Sequence, residues 1–134
     1  MMPPSIKPPI FGGSFEVFLH YVREPENDST IISPMKFGQA LRVDMQTLAK
    51  RSQVHPDTLR HHPETESIQK YIRNNVKVLM ATSAINDNVE NAIFWFKNYP
   101  LSIFDYKTAE ELVLEERSED VLRYIQSLRA GFAG

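Results

Sequence analysis

At 134 residues, with no cysteine and a formal charge of −2, the chain can form one compact unit or two small helical ones. Its composition excludes a disulfide framework, a thiolate metal site and a cysteine nucleophile. The charge is unevenly spread: residues 33–80 carry eight Lys/Arg, four Asp/Glu and three histidines, residues 81–134 five against nine, and residues 1–32 two against four. Only the middle of the chain is therefore suited to meet phosphate.

Residues 1–32 read as an N-terminal tail or extension. Pro3, Pro4, Pro8, Pro9 and Gly12-Gly13 cannot hold a regular helix, and the apolar run from Phe15 to Val22 is too short to choose between helix and strand. With no basic stretch followed by an apolar run at its start, and no window near ~18 apolar residues, the chain is expected to be cytoplasmic, with no membrane partner.

Ser33-Pro34 is a good helix start, since serine caps free backbone N–H groups and proline at the first helical position loses no hydrogen bond. Met35, Phe37, Ala40 and Leu41 supply its apolar face. Asp44 caps a second helix through about Ser52, with Met45, Leu48 and Ala49 on one face, and Val54 to His62 forms a third, stopped by Pro63. Ile68, Ile72, Val76 and Leu79 recur at three to four residues and specify an amphipathic helix of roughly four turns. Asn86 or Asp87 with Glu90 resembles a capping box, ahead of a helix burying Ala92, Ile93, Trp95 and Phe96 and ended by Asn98-Tyr99-Pro100. Leu101 to Phe104 is a brief apolar connection. Thr108-Ala109-Glu110-Glu111 is a capping box opening a helix through about Glu116. Ser118 caps the last helix, with Glu119 and Asp120 in its first turn, Arg129 in its last and Gly131 as its stop. The fold class is all-α.

Residues 33–80 read as a helix-turn-helix DNA-binding region, because the spacing from Leu48 to Leu59 is what that motif needs. Ala49 is small where two helices cross, Val54 plugs the corner, and Leu59 locks the second helix on the core. That helix would enter the major groove by its N-terminal end, with His55, Asp57, Thr58, Arg60 and His61 facing outward as DNA-binding residues. Arg60 suits guanine or phosphate, and Asp57 suits a helix start or a cytosine amino group. Two departures stand: Gln53 where the turn usually carries glycine, and His62 where an apolar residue is expected. His55, His61 and His62 do not make a metal set, because adjacent histidines point to different helix faces.

In the C-terminal segment, Ala92 and Trp95 are followed by Pro100-Leu101, Thr108-Ala109, Glu111-Leu112-Val113, Glu116-Arg117, Val121-Leu122, Tyr124-Ile125, Leu128 and Ala130-Gly131. In this order they resemble the toxin-binding domain shared by the Xre, MbcA and ParS antitoxins. The preceding helix-turn-helix segment resembles the Xre-type region of the same proteins, so the likeness spans residues 33–131. The departures are Ile85-Asn86-Asp87 in place of a Phe-Gly turn and Asn98-Tyr99-Pro100 in place of a Pro-Asn arrangement.

The resemblance implies an antitoxin of a type II toxin–antitoxin system, dimeric within a larger complex, with residues 81–134 as the toxin-binding domain. It implies as partner a RES-family toxin that consumes NAD, or a ParT-like ADP-ribosyltransferase toxin. It also implies repression of its own operon through operator DNA. The alternative is a transcriptional regulator with no toxin partner. Arg117, Arg123, Tyr124 and Arg129 are the toxin-binding candidates, because arginine and tyrosine are enriched at interface hot spots. Phe132, beyond the expected helix stop, has two possible sites: a groove beside the last helix, or a pocket on the toxin. No phosphate-cradling glycine loop or His-Glu-x-x-His is present, and Glu110, Glu111, Glu115 and Glu116 read as a solvated face, so neither an enzyme nor a cofactor is expected.

Overall fold

Short polar side chains set most of the helix boundaries. The computed structural model describes residues 9–23 and 30–133, with side chains through residue 131. Ser14 caps α1 (Phe15–Val22), Ser33 caps α2 (Pro34–Leu41) and Asp44 caps α3 (Met45–Arg51), each accepting a backbone N–H three residues on. The 15–22 run is thus a helix, the choice the sequence left open. His55 caps the short α4 (Pro56–His61), so Val54 belongs to the turn and not to the helix. α5 (Glu66–Asn86) is followed by α6 (Val89–Asn98), a 3₁₀ turn (Ser102–Phe104), α7 (Ala109–Leu114) and α8 (Ser118–Ala133). Among the described residues there is no strand beyond two isolated bridges, and the chain is all-α as its pattern predicts.

α5 is the axis of the fold. It packs against α2, α6, α7 and α8, burying Ile68, Ile72, Val78 and Leu79 completely. Burying each such side chain contributes about 1.5–3 kcal/mol. The helix runs 21 residues instead of about four turns because its inner face continues in polar residues that hydropathy does not mark. Thr82, for example, is buried and satisfies its hydroxyl on the Val78 carbonyl at 2.8 Å. α5 passes without a break between Met80 and Ala81, and a single apolar core draws on every helix from α1 to α8.

The N-terminal segment is stitched to this body by two polar side chains of the later helices. Buried Gln69 accepts from the Ile32 amide at 2.9 Å and donates to the Ile32 and Pro63 carbonyls at 2.8 Å. Glu90 accepts from the amides of Phe11 and Gly13 at 2.8 and 2.7 Å. Glu90 is therefore no capping-box partner; Asn88 is the cap of α6. Phe11 and Phe18 pack edge to face at 5.3 Å, and Phe18 and Val22 are fully buried. At Gly38 a Cβ would lie 2.6 Å from the Val43 carbonyl oxygen, so the turn leaving α2 closes only over glycine.

Five local expectations change. On α5, Val76 is only partly buried and Val78 takes its place in the core. Met35 is 55% exposed, and the inner face of α2 is Phe37, Gly38, Ala40 and Leu41. Ile93 and Trp95 are only partly buried, while Val89 joins Ala92 and Phe96 inside. Ser118 is the first residue of α8, not the residue before it. Gly131 does not stop that helix, which continues to Ala133, so Arg129 is not in its last turn. An isolated glycine with open space around it and no turn chemistry behind it is tolerated in a helix.

Candidate nucleic-acid and partner-binding surfaces

The turn between α3 and α4 is built from the inside outward. Leu48, Ala49 and Leu59 are buried, and Val54 is partly buried against them. The Val54 amide donates to the Ala49 carbonyl at 3.0 Å and the Gln53 amide to the Lys50 carbonyl at 3.1 Å. Gln53 has φ +61°, the left-handed backbone that glycine adopts without strain. The departure noted in the sequence is thus one of residue type; the backbone takes the conformation a glycine would supply.

On the outer face, His55, Asp57, Arg60 and His61 are exposed and Thr58 is half-buried. Arg60 is not a free cation: its Nη2 lies 3.2 Å from Asp57 Oδ1. The Asp57 amide donates to His55 Nδ1 at 3.1 Å, a role in which Nδ1 carries no proton. His61 Nδ1 is 3.1 Å from the Asp57 carbonyl oxygen. Asp57 thus organises this face and cancels its fixed positive charge. Among the described residues no cluster of three or more His, Cys, Asp or Glu could hold a metal ion.

The acidic residues in and just after α7 separate into distinct structural roles. Glu111 completes the capping box with Thr108, Glu115 pairs with Lys107 at 2.8 Å, and Glu110 reaches across to Arg51 of α3 at 3.2 Å. This last pair is largely buried and lies beside Tyr71, whose hydroxyl burial pushes above its ordinary pKa. Nearby, Lys97 donates to the Leu41 and Arg42 carbonyls at the end of α2, and burial pulls its ammonium below the usual lysine range. These polar ties join α2 and α3 to α6 and α7.

The toxin-binding candidates divide in the same way. Arg117 Nε and Arg123 Nη2 both hold Asp120, at 3.0 and 2.7 Å, and these hydrogen bonds, Arg117 first, keep the Asp120 carboxyl below the usual range. Arg117 also covers the Phe104 ring at 5.2 Å, and half-buried Tyr124 meets that ring edge-on at 5.8 Å. Both therefore brace the loop before α7. Arg129 is exposed with no ion pair among the described residues. The side chain of Phe132 lies outside the described residues.

The loop that Arg117 and Tyr124 brace is where the sequence missed most. Read as an apolar connection, it buries Leu101 but exposes Ile103 by 67% and Tyr106 by 70%. Amides of Phe104 and Tyr106 donate to the Leu101 carbonyl at 2.9 Å, and the Leu101 amide donates to Lys107 at 2.9 Å. Asp105 and Tyr106 are both left-handed, with φ +57° and +65°. Aspartate tolerates that conformation but tyrosine does not announce it, so only Asp105 carried a weak signal of the outward turn. Comparisons with family models, characterised proteins and solved structures gave no match to this chain.

Proposed function

We propose that the chain is the antitoxin of a type II toxin–antitoxin pair. In this reading α3, its turn and α4 act as a helix-turn-helix on operator DNA and repress the chain's own operon. The segment from α6 to α8 neutralises an NAD-consuming toxin of the RES type, and the protein works as a dimer in the cytoplasm. The observation that carries the DNA part is the left-handed turn at Gln53 between two short helices with buried Leu48, Ala49 and Leu59. It lies in the segment with eight basic against four acidic residues. The toxin part rests on the ordered residue matches from Ala92 to Gly131; of the matched apolar positions with core spacing, Leu112, Val121 and Ile125 are buried and Trp95, Leu122 and Leu128 are partly buried.

A regulator without a toxin partner is the second reading, favoured by the partly buried Arg51–Glu110 tie and the continuous α5, which make the acidic helices a support for the basic ones. Co-expression of the full chain, tagged, with the product of the adjacent gene separates the two. Stable co-purification that arrests NAD loss by that product supports the antitoxin. No association, with operator binding retained, supports the regulator.

A further inference from the structure

We propose that the loop from Leu101 to Lys107 is a preformed docking knob. Ile103 and Tyr106 enter an apolar pocket, bordered by basic side chains, on a protein partner. The inference rests on the reading of the C-terminal helices as the partner-binding part, and it names their contact surface. Isolated exposed apolar residues are ordinary, but these two stand on one short loop at 67% and 70% exposure. Tyr99, close before the loop, is also 55% exposed and stacks on Trp95 at 6.2 Å.

The loop is rigid from below. Leu101 is buried, the Leu101 and Lys107 backbones are bridged, and Phe104 is clamped between Tyr124 and the Arg117 guanidinium. Two successive non-glycine residues, Asp105 and Tyr106, are held left-handed at its tip, and strain of that kind persists only where the surroundings enforce it. A binding loop fixed in advance loses little entropy on docking, and aromatic side chains are frequent interface anchors.

Charge identifies the class of partner. Lys107 and Arg117 are already paired with Glu115 and Asp120, whereas Asp105, between Ile103 and Tyr106, has no ion pair among the described residues. Asp105 and Lys107 cancel formally, but with Lys107 held by Glu115 the charge left open on the knob is the Asp105 carboxylate, and residues 81–134 as a whole carry nine acidic against five basic residues. Nucleic acid and anionic lipid would both be repelled, whereas a protein pocket with Lys or Arg at its rim would be attracted.

The test uses the full chain and the adjacent-gene product, with affinity measured by calorimetry. Ile103→Asp and Tyr106→Gly should each weaken binding about 30-fold or more. Because glycine fits the left-handed backbone, Tyr106→Gly should leave the thermal midpoint of the free protein unchanged or higher, a combination that a purely structural tyrosine would not give. Asp105→Lys should weaken binding most at low salt. Unchanged affinity in Ile103→Asp and Tyr106→Gly would overturn the knob while leaving the antitoxin reading intact. Absence of any binding by the unaltered chain would overturn both. Binding of a random duplex or anionic vesicles that Tyr106→Gly abolishes would overturn the protein partner.

Discussion

Replacing Gln53 by glycine should stabilise the protein. The residue sits at φ +61°, where an L side chain costs roughly 1–2 kcal/mol. Its own side chain is exposed and makes no hydrogen bond among the described residues, so no contact is lost. Glycine returns roughly 0.5–1 kcal/mol of that gain through the greater freedom of its unfolded chain. The net effect is about 0.5–1 kcal/mol of added stability. For a domain of this size that is roughly 2–4 °C in the thermal midpoint. Differential scanning calorimetry on Gln53→Gly and on Gln53→Val would check it, with the β-branched variant expected to fall by more than about 1 kcal/mol. A lower midpoint for Gln53→Gly would refute the left-handed turn and, with it, the main structural support for a helix-turn-helix.

On the outer face, Arg60→Ala should weaken duplex binding by about 1–3 kcal/mol, whereas Asp57→Asn should strengthen it, because the carboxylate both repels phosphate and holds Arg60 at 3.2 Å; gel shifts at fixed salt read both. A fragment beginning at Ala81 should fail to fold by circular dichroism, since it lacks Ile68, Ile72, Val78 and Leu79 of the axial helix, and one beginning at Thr65 should retain helicity. Any fragment used to test partner binding should therefore carry all of α5. Asp44 is held low by Thr47, and Asp120 by Arg117 and Arg123. Because their folded pKa values lie below the unfolded ones, the stability they add is full above about pH 4 and is lost as pH falls through the folded values. Acid unfolding of Asp44→Asn or Asp120→Asn should accordingly depend less steeply on pH than that of the unaltered chain.

Three of the five expected caps were legible in the sequence, whereas Ser118 and the box at Asn86 or Asp87 were not. Ser33, Asp44 and Thr108 each sit where their short oxygen-bearing side chains were expected, because capping is a local interaction that three or four residues specify. The core positions Leu48, Leu59, Ile68 and Ile72 were legible from helical spacing. What sequence pattern missed depends on contacts between distant residues. Gln69 and Glu90 bind backbone of the N-terminal segment 37 to 79 residues away, and Glu110 is drawn from a solvated face to Arg51 of α3. At the candidate sites the residue types were legible but not their commitments: Asp57 occupies Arg60, Asp120 occupies Arg117 and Arg123, and the outward Ile103 and Tyr106 depend on a left-handed backbone that aspartate signals only weakly and tyrosine not at all.

If the chain neutralises an NAD-consuming partner, cellular NAD reports it. In cells induced for the adjacent-gene product alone, NAD should fall and growth should stop; with this chain produced in excess, NAD should hold at the uninduced level. A fall of the same extent with and without the chain, at matched levels of the adjacent-gene product, would contradict that function.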